Sequence, residues 1–167
     1  MKPVDLSRAW RWFALSAAVI VADQIVKRVM LHNFAPGEQR AVTDFFNLVL
    51  VFNKGAAFSL FASAPGWQAP ILTTFALVAS LVVGWFIVRS PDKTLFSLGL
   101  ALILGGALGN VIDRLRFGHV VDFVDVHAFG WHWPAFNVAD SAISIGAVIL
   151  ILEGFVGREK RPSLREQ

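Results

Sequence analysis

Four long apolar runs dominate this 167-residue chain, at roughly residues 10–31, 69–88, 95–112 and 138–156. A bilayer core of ~30 Å needs about 20 apolar residues of helix to cross it. Lipid offers backbone polar groups no water, so only helices and closed barrels span it, and runs this long are too continuous for barrel strands. Composition agrees: 56% of residues are hydrophobic, 16% are charged and the mean hydropathy is +0.61. A soluble domain is nearer a quarter charged, and one of this length would have to hide too much apolar surface in too small a core. The expected fold is an all-α membrane protein of four transmembrane helices. It forms one domain over residues 1–157, followed by a charged tail over 158–167 that is expected to be disordered.

The first run invites a signal-peptide reading, because Lys2, Arg8 and Arg11 precede it. No small-x-small cleavage pattern follows, however. Asp23-Gln24-Ile25-Val26-Lys27 continues at helical spacing instead, so the run reads as a retained first span. The second run follows the breaker stretch Ala64-Pro65-Gly66.

Four spans put both termini on one side. Lys2, Arg8, Arg11, Arg89, Lys93, Arg158, Lys160, Arg161 and Arg165 are nine of the fifteen basic residues, and all fall in short segments of one face. That face is expected to be cytoplasmic. The opposite face carries two longer loops, about residues 31–68 and 113–137, with Arg40, Lys54, Arg114, Arg116 and His119. Residues 41–52 are rich in Val, Phe and Leu and read as a strand or hairpin half, so a small β-containing outer segment is expected. Trp67, Trp131 and Trp133 fit an interfacial aromatic belt.

Ionisable groups near membrane depth are costly and prompt a functional question. Asp23, Asp113, Asp122, Asp125 and Asp140 are the candidates. Asp122 follows the third span and Asp140 lies in the first turn of the fourth, so both belong near the outer interface. Two close carboxylates share a proton. One then serves as base on a water while the other donates to the scissile carbonyl. With Asn137 as N-cap, Asp140 falls at the third helical position, where the helix dipole favours charge; Asp122 is then the proton holder. An Asp at a helix start also serves as a cap or charge partner, and spacing alone leaves both roles open.

Other polar groups have plainer readings. Asp113-Arg114 reads as a structural ion pair, and Arg114 and Arg116 also suit lipid head groups. Asp23 and Lys27 are four apart on one helix face and should pair. Asn53, Asn110 and Asn137 suit bracing a loop or bonding substrate backbone. Gly105 and Gly109 form a G-x-x-x-G spacing that lets a second helix approach. His119, Asp125, His127 and His132 lack H-E-x-x-H and fixed helical spacing, so no metal site is expected. The absence of cysteine excludes disulfides, thiolate metal sites and a Cys nucleophile.

These motifs together resemble a known family, the lipoprotein signal peptidases (signal peptidase II). Asp23-Gln24 with Lys27 looks like its opening motif, and Asn53-Lys54-Gly55-Ala56-Ala57-Phe58 like its N-x-G-A-A-F box. Gly105-Gly106-Ala107-Leu108-Gly109-Asn110-Val111-Ile112-Asp113-Arg114 matches its G-G-x-x-G-N-x-x-D-R box. Residues 118–123 and 136–141 match the two boxes that carry the family's catalytic aspartates. The resemblance implies an aspartic endopeptidase that removes signal peptides from prolipoproteins just before a diacylglyceryl-modified cysteine. The dyad maps to Asp122 and Asp140. Asn53, Asn110, Arg114 and Asn137 would shape the site or hold substrate, and Asp23 would support the fold.

The resemblance further implies a bacterial inner-membrane enzyme with its site at the periplasmic face, open to the family's inhibitor globomycin. Expected partners are lipidated prolipoproteins and membrane lipids; no nucleic acid, metal or organic cofactor is expected, and a monomer is. Residues 41–52 and the loop over 125–134 are expected to clamp substrate. Prepilin-type and presenilin-like aspartyl proteases share a Gly-x-Gly-Asp motif that is absent here. A small transporter would spread polar residues through the midplane, whereas the second and third runs are nearly free of charge. A structural adaptor explains none of the box spacing.

Overall fold

The computed structural model describes residues 6–55 and 68–159. Lys2, Trp67, the breaker at 64–66, the box residues at 56–58 and the tail over 160–167 lie outside the described residues. In chain order come α1 (Leu6–Asn33), β1 (Gln39–Thr43), β2 (Phe46–Asn53), α2 (Gln68–Arg89), α3 (Thr94–Phe117), β3 (Val120–Ala128), β4 (Trp131–His132) and α4 (Val138–Glu159). Each apolar run is a helix. α4 continues two residues into the segment expected as tail.

Among the described residues three helices are long and apolar enough to cross a membrane: Ala69–Arg89, Thr94–Phe117 and Val138–Phe155. α1 has 28 residues, roughly 42 Å at 1.5 Å per residue, but its last third carries Asp23, Gln24, Lys27 and Arg28. Large apolar side chains stand exposed on the helix faces, among them Phe75, Leu81, Trp85 and Leu152. Such faces suit lipid, which is as apolar as the side chains themselves.

α3 is the central helix, and small residues let its neighbours close on it. A Cβ on Gly105 would come within 2.7 Å of the Ser16 carbonyl of α1, and one on Gly99 within 2.8 Å of the Gly146 carbonyl of α4. Gly106 sits directly against the Ala139 carbonyl of α4. The G-x-x-x-G spacing thus serves close approach to two helices at once. α3 runs past Ile112 to Phe117 and ends at Gly118, whose φ of 74° is the left-handed helix cap and whose N–H donates to Arg114 O. Asp113, Arg114 and Arg116, expected in a loop, are therefore helical. The backbone keeps its internal hydrogen bonds until a glycine can leave the helix without strain.

The expected strand or hairpin half is a full hairpin turned at Asp44-Phe45, and the sheet extends well beyond it. Among the described residues four strands pair antiparallel in the order β1-β2-β3-β4, so the expected small β-containing segment is present as a sheet at one end of the four helices. Asn53 pairs with Val120 and Val51 with Asp122. A register shift between Leu48 and Val51 bends β2. β3 and β4 join through Phe129 and Gly130, with φ 52° and 79°. Leu50, Val121 and Phe123 pack with Met30 of α1 beneath the sheet. Trp131 and Trp133 are exposed on the sheet, in edge contact at 5.7 Å.

Candidate active site

The site forms where α1, α3, the first turn of α4 and the β2–β3 pair meet. Asp23 and Lys27 make the predicted ion pair, 2.8 Å long and buried. Lys27 Nζ also reaches Asp113 Oδ2 at 2.7 Å and Asn110 Oδ1 at 3.0 Å. The predicted Asp113–Arg114 pair is thereby corrected. Consecutive helical side chains diverge by about 100°, so Asp113 turns inward to Lys27 and Arg114 does not follow it. Arg114 Nη2 instead donates to the Gly55 carbonyl at 3.4 Å. Gln24 Nε2 closes the cluster, donating to Asp113 Oδ1 at 2.9 Å.

Two bonds run from this cluster into the segments that bear the other carboxylates. Asp113 Oδ2 accepts the Val121 N–H at 3.1 Å, and Asp23 Oδ1 accepts the Ala139 N–H at 3.0 Å. Asp122 and Asp140 are the next residues along. Asn137 caps α4 as expected: its Oδ1 accepts the Asp140 N–H at 2.9 Å, and Asp140 Oδ2 accepts the Asn137 N–H at 3.3 Å. This reciprocal pair is a capping box with an aspartate.

All four carboxylate oxygens of Asp122 and Asp140 accept amide hydrogens. Asn137 Nδ2 donates to Asp122 Oδ1 at 2.7 Å and Asn53 Nδ2 to Asp122 Oδ2 at 3.0 Å. Asn110 Nδ2 donates to Asp140 Oδ1 at 2.8 Å. Both carboxylates line a cavity of about 600 Å³, walled by Arg114, Trp133, Phe136, Ser141 and Ile145. Arg114 Nε is buried there without a hydrogen-bond partner among the described residues. Burial pushes the Asp122 carboxyl up to about 7, and the neighbouring Asp140 carboxylate adds to the rise; the Asn53 and Asn137 amides oppose it.

Similarity to known proteins decides the family. Residues 15–156 match the model of signal peptidase II. The chain is 56% identical over 142 residues to the lipoprotein signal peptidases of Burkholderia vietnamiensis and Burkholderia multivorans, covering 85% of this chain and 86% of each relative. Its fold is similar to that of a bacterial membrane enzyme solved by the in meso method at 2.3 Å, with a TM-score of 0.81, 25% identity and 94% of each chain covered. The chain belongs to the signal peptidase II family.

In this signal peptidase II the sequence-predicted residues Asp122, Asp140, Asn53, Asn110, Arg114 and Asn137 all line one cavity or bond a residue that does. Asp23, Lys27 and Asp113 stand behind it. Asp125 is not in the cavity. It lies three residues beyond Asp122, on the other face of β3, where Asn47 Nδ2 and His132 Nδ1 bond it at 2.7 and 2.9 Å. Burial raises its carboxyl, but those two bonds outweigh it and hold Asp125 below its ordinary value. His119 sits between Phe52 and Phe117 at 4.4 and 5.9 Å, and burial lowers it. Sequence reasoning missed Ser141 and Ser144, which follow Asp140 around the α4 face into the cavity. Their only signal was helical spacing from Asp140. It also missed the reach of Lys27 to α3, for which a lysine deep in an apolar helix was the cue.

Proposed function

We propose that this signal peptidase II is an aspartic endopeptidase that removes the signal peptide from diacylglyceryl-modified prolipoproteins, with Asp122 and Asp140 as its dyad. One observation carries the reading: the buried carboxylate of Asp122 and the half-buried one of Asp140, on different elements, face one cavity and are held there, among the described residues, by amide donors. An amide hydrogen bond orients a carboxylate without supplying a countercharge, so the pair keeps a proton to share.

Asp122 holds that proton, as its raised carboxyl favours. Asp140 stays charged at the amino end of α4, where the helix dipole favours an anion. Asp140 takes a proton from a bound water as the water oxygen attacks the scissile carbonyl. Asp122 passes its proton to the carbonyl oxygen, giving a neutral tetrahedral diol. Collapse of the diol returns one hydroxyl proton to Asp122, and the proton held by Asp140 goes to the leaving nitrogen. The dyad ends as it began. Asn53, Asn110 and Asn137 hold the carboxylates, and Arg114 lines the cavity wall with its Nη2 on the Gly55 carbonyl.

The membrane placement follows the same reading. α1 is the fourth span, because its Asp23 and Lys27 are buried against α3 rather than facing lipid. Arg8, Arg11, Arg89 and Lys93 sit at the bundle end away from the sheet, so that end and both termini are cytoplasmic. The dyad then lies at the periplasmic face of the bacterial inner membrane, where the lipidated end of a signal helix emerges. Monomers suffice, since every side chain of the dyad and its amides comes from one chain. Membrane lipids cover the exposed apolar helix faces.

The test is a gel-shift cleavage assay with the purified full chain in detergent and a diacylglyceryl-modified prolipoprotein. The parent chain cleaves, and Asp122→Asn and Asp140→Asn fold but do not. Cleavage by either variant would refute the dyad.

A further inference from the structure

We propose that Lys27 is a positioning residue for the reaction, holding both aspartates of the dyad in register through Asp23, Asp113 and Asn110. The proposal rests on the dyad reading above and adds to it a reason for the buried cluster behind the cavity.

Three bonds leave Lys27 Nζ, and each continues to one of the two aspartates. Through Asp113 the path reaches the N–H of Val121, the residue before Asp122. Through Asp23 it reaches the N–H of Ala139, the residue before Asp140. One lysine thus ties the backbone of β3 to that of α4 at equivalent points. The third bond goes to Asn110 Oδ1 at 3.0 Å. An ammonium has only donors to offer, so it requires the oxygen end of that amide. The nitrogen end is then turned to Asp140 Oδ1, 2.8 Å away. With the lysine gone, the oxygen end of the Asn110 amide keeps only the longer bond from Asn137 Nδ2, at 3.2 Å, among the described residues.

Packing around the cluster leaves it little freedom. Lys27, Asp23 and Asp113 are each no more than 2% exposed. Gly109 of α3 has no side chain where a Cβ would come within 2.9 Å of Asp23 Oδ2. A buried ion pair is a poor stabiliser, since desolvation offsets most of the attraction and apolar replacements often fold as well. A role in geometry accounts for it better. Displacing a reacting group by about 1 Å costs on the order of 100-fold in rate.

The experiment compares steady-state cleavage of a diacylglyceryl-modified prolipoprotein by the full chain, by Lys27→Met and by the double variant Lys27→Met/Asp113→Asn. The double variant keeps one uncompensated buried carboxylate, as in the parent cluster, so it guards against simple loss of folding. Asp122→Asn is run beside them. In the variants kcat is expected to fall about 100-fold with KM unchanged, because the substrate contacts on the cavity wall are untouched. The amide resonances of Val121 and Ala139 shift with it. A purely structural lysine would lower the melting temperature and leave kcat alone. Unchanged kcat in a folded Lys27 variant, with Asp122→Asn inactive, overturns this proposal and leaves the dyad standing. Failure of the double variant to fold also overturns it, because the lysine would then be holding the fold. Cleavage by Asp122→Asn overturns the dyad reading itself, and this proposal with it.

Discussion

Two pairs of aspartates lie within one small region of this protein, and their surroundings could hardly differ more. Asp23 and Asp113 share the ammonium of Lys27, at 2.8 and 2.7 Å, and touch no part of the cavity. Asp122 and Asp140 open onto the cavity and, among the described residues, receive amide hydrogens. A countercharge compensates the first pair and makes it a fixed strut between helices. Amides orient the second pair, and the Arg114 guanidinium lines the same cavity with no hydrogen bond to either carboxylate among the described residues, an arrangement that suits the proposed dyad. Residue type and depth do not separate a strut from a reactive pair; the nature of the hydrogen-bond donor does.

The largest effect tests that contrast directly. Asp122→Asn should lower cleavage by about 10³-fold or more while leaving the melting temperature nearly unchanged below about pH 7, because the protonated carboxyl it replaces is neutral as well. Asp113→Asn should act mainly on stability, lowering it by about 3 kcal/mol through the loss of a buried ion-pair partner, with a smaller loss of cleavage than Asp122→Asn gives. Thermal unfolding in detergent reads both. Equal destabilisation by the two substitutions would erase the distinction between the pairs.

The pH profile sharpens it further. Asp122, pushed up to about 7, keeps its proton below that pH and loses it above. Cleavage should therefore fall as pH rises beyond about 7, by about tenfold per unit, as the pair loses its one proton. The folded state also binds more protons than the unfolded chain between the ordinary value of 3.8 and about 7. Its stability contribution is thus fullest below 3.8 and declines as pH rises to about 7. Asp122→Asn should abolish that decline, which a melting series across pH would detect.

The helices were legible because lipid demands one simple thing of a sequence, a long apolar run, and each run is local. The boxes around Asp122 and Asp140 were legible for a related reason: Asn137 and Asp140 form a cap within a single turn. What could not be read depended on distant partners. Val120-Val121-Asp122-Phe123-Val124 looked like loop because both its faces are buried, which removes the alternation that marks a strand, and because its partner β2 lies about seventy residues earlier. Helical spacing pairs Lys27 with its neighbour Asp23, but its bond to Asn110 spans 83 positions. Asp113 and Arg114 were paired because they adjoin in sequence, where helix geometry sends them apart.

Gly106 gives a smaller effect on the same contrast. A Cβ there would meet the Ala139 carbonyl and come within 2.8 Å of Ile143 Cγ1. Gly106→Ala should push α4 away from α3 at the turn that carries Asp140, at a cost of about 2 kcal/mol. Gly84→Ala on α2 is the control, since its Cβ meets only Phe13 Cε1 at 3.8 Å. A melting temperature equally unmoved in both would mean that the α3–α4 approach is looser than the contacts indicate.

Asp125 completes the comparison as a third kind of carboxylate, with the smallest expected effect. It has a histidine partner that is half exposed, and it stands outside the cavity. Asp125→Asn should leave cleavage unchanged and lower stability by about 1 kcal/mol, the usual net worth of a side-chain hydrogen bond, since Asp125 is buried but its histidine partner is half exposed. The sign with pH is opposite to that of Asp122. Its carboxyl is held below the ordinary value, so its contribution is present above the carboxylate range and is lost as pH falls through it. The stability gap between parent and variant should therefore close on acidification, whereas the gap for Asp122→Asn should widen as the medium becomes more alkaline. A loss of cleavage in Asp125→Asn would instead bring the outer hairpin into the reaction, and the donor rule that separates strut from dyad would need a third case.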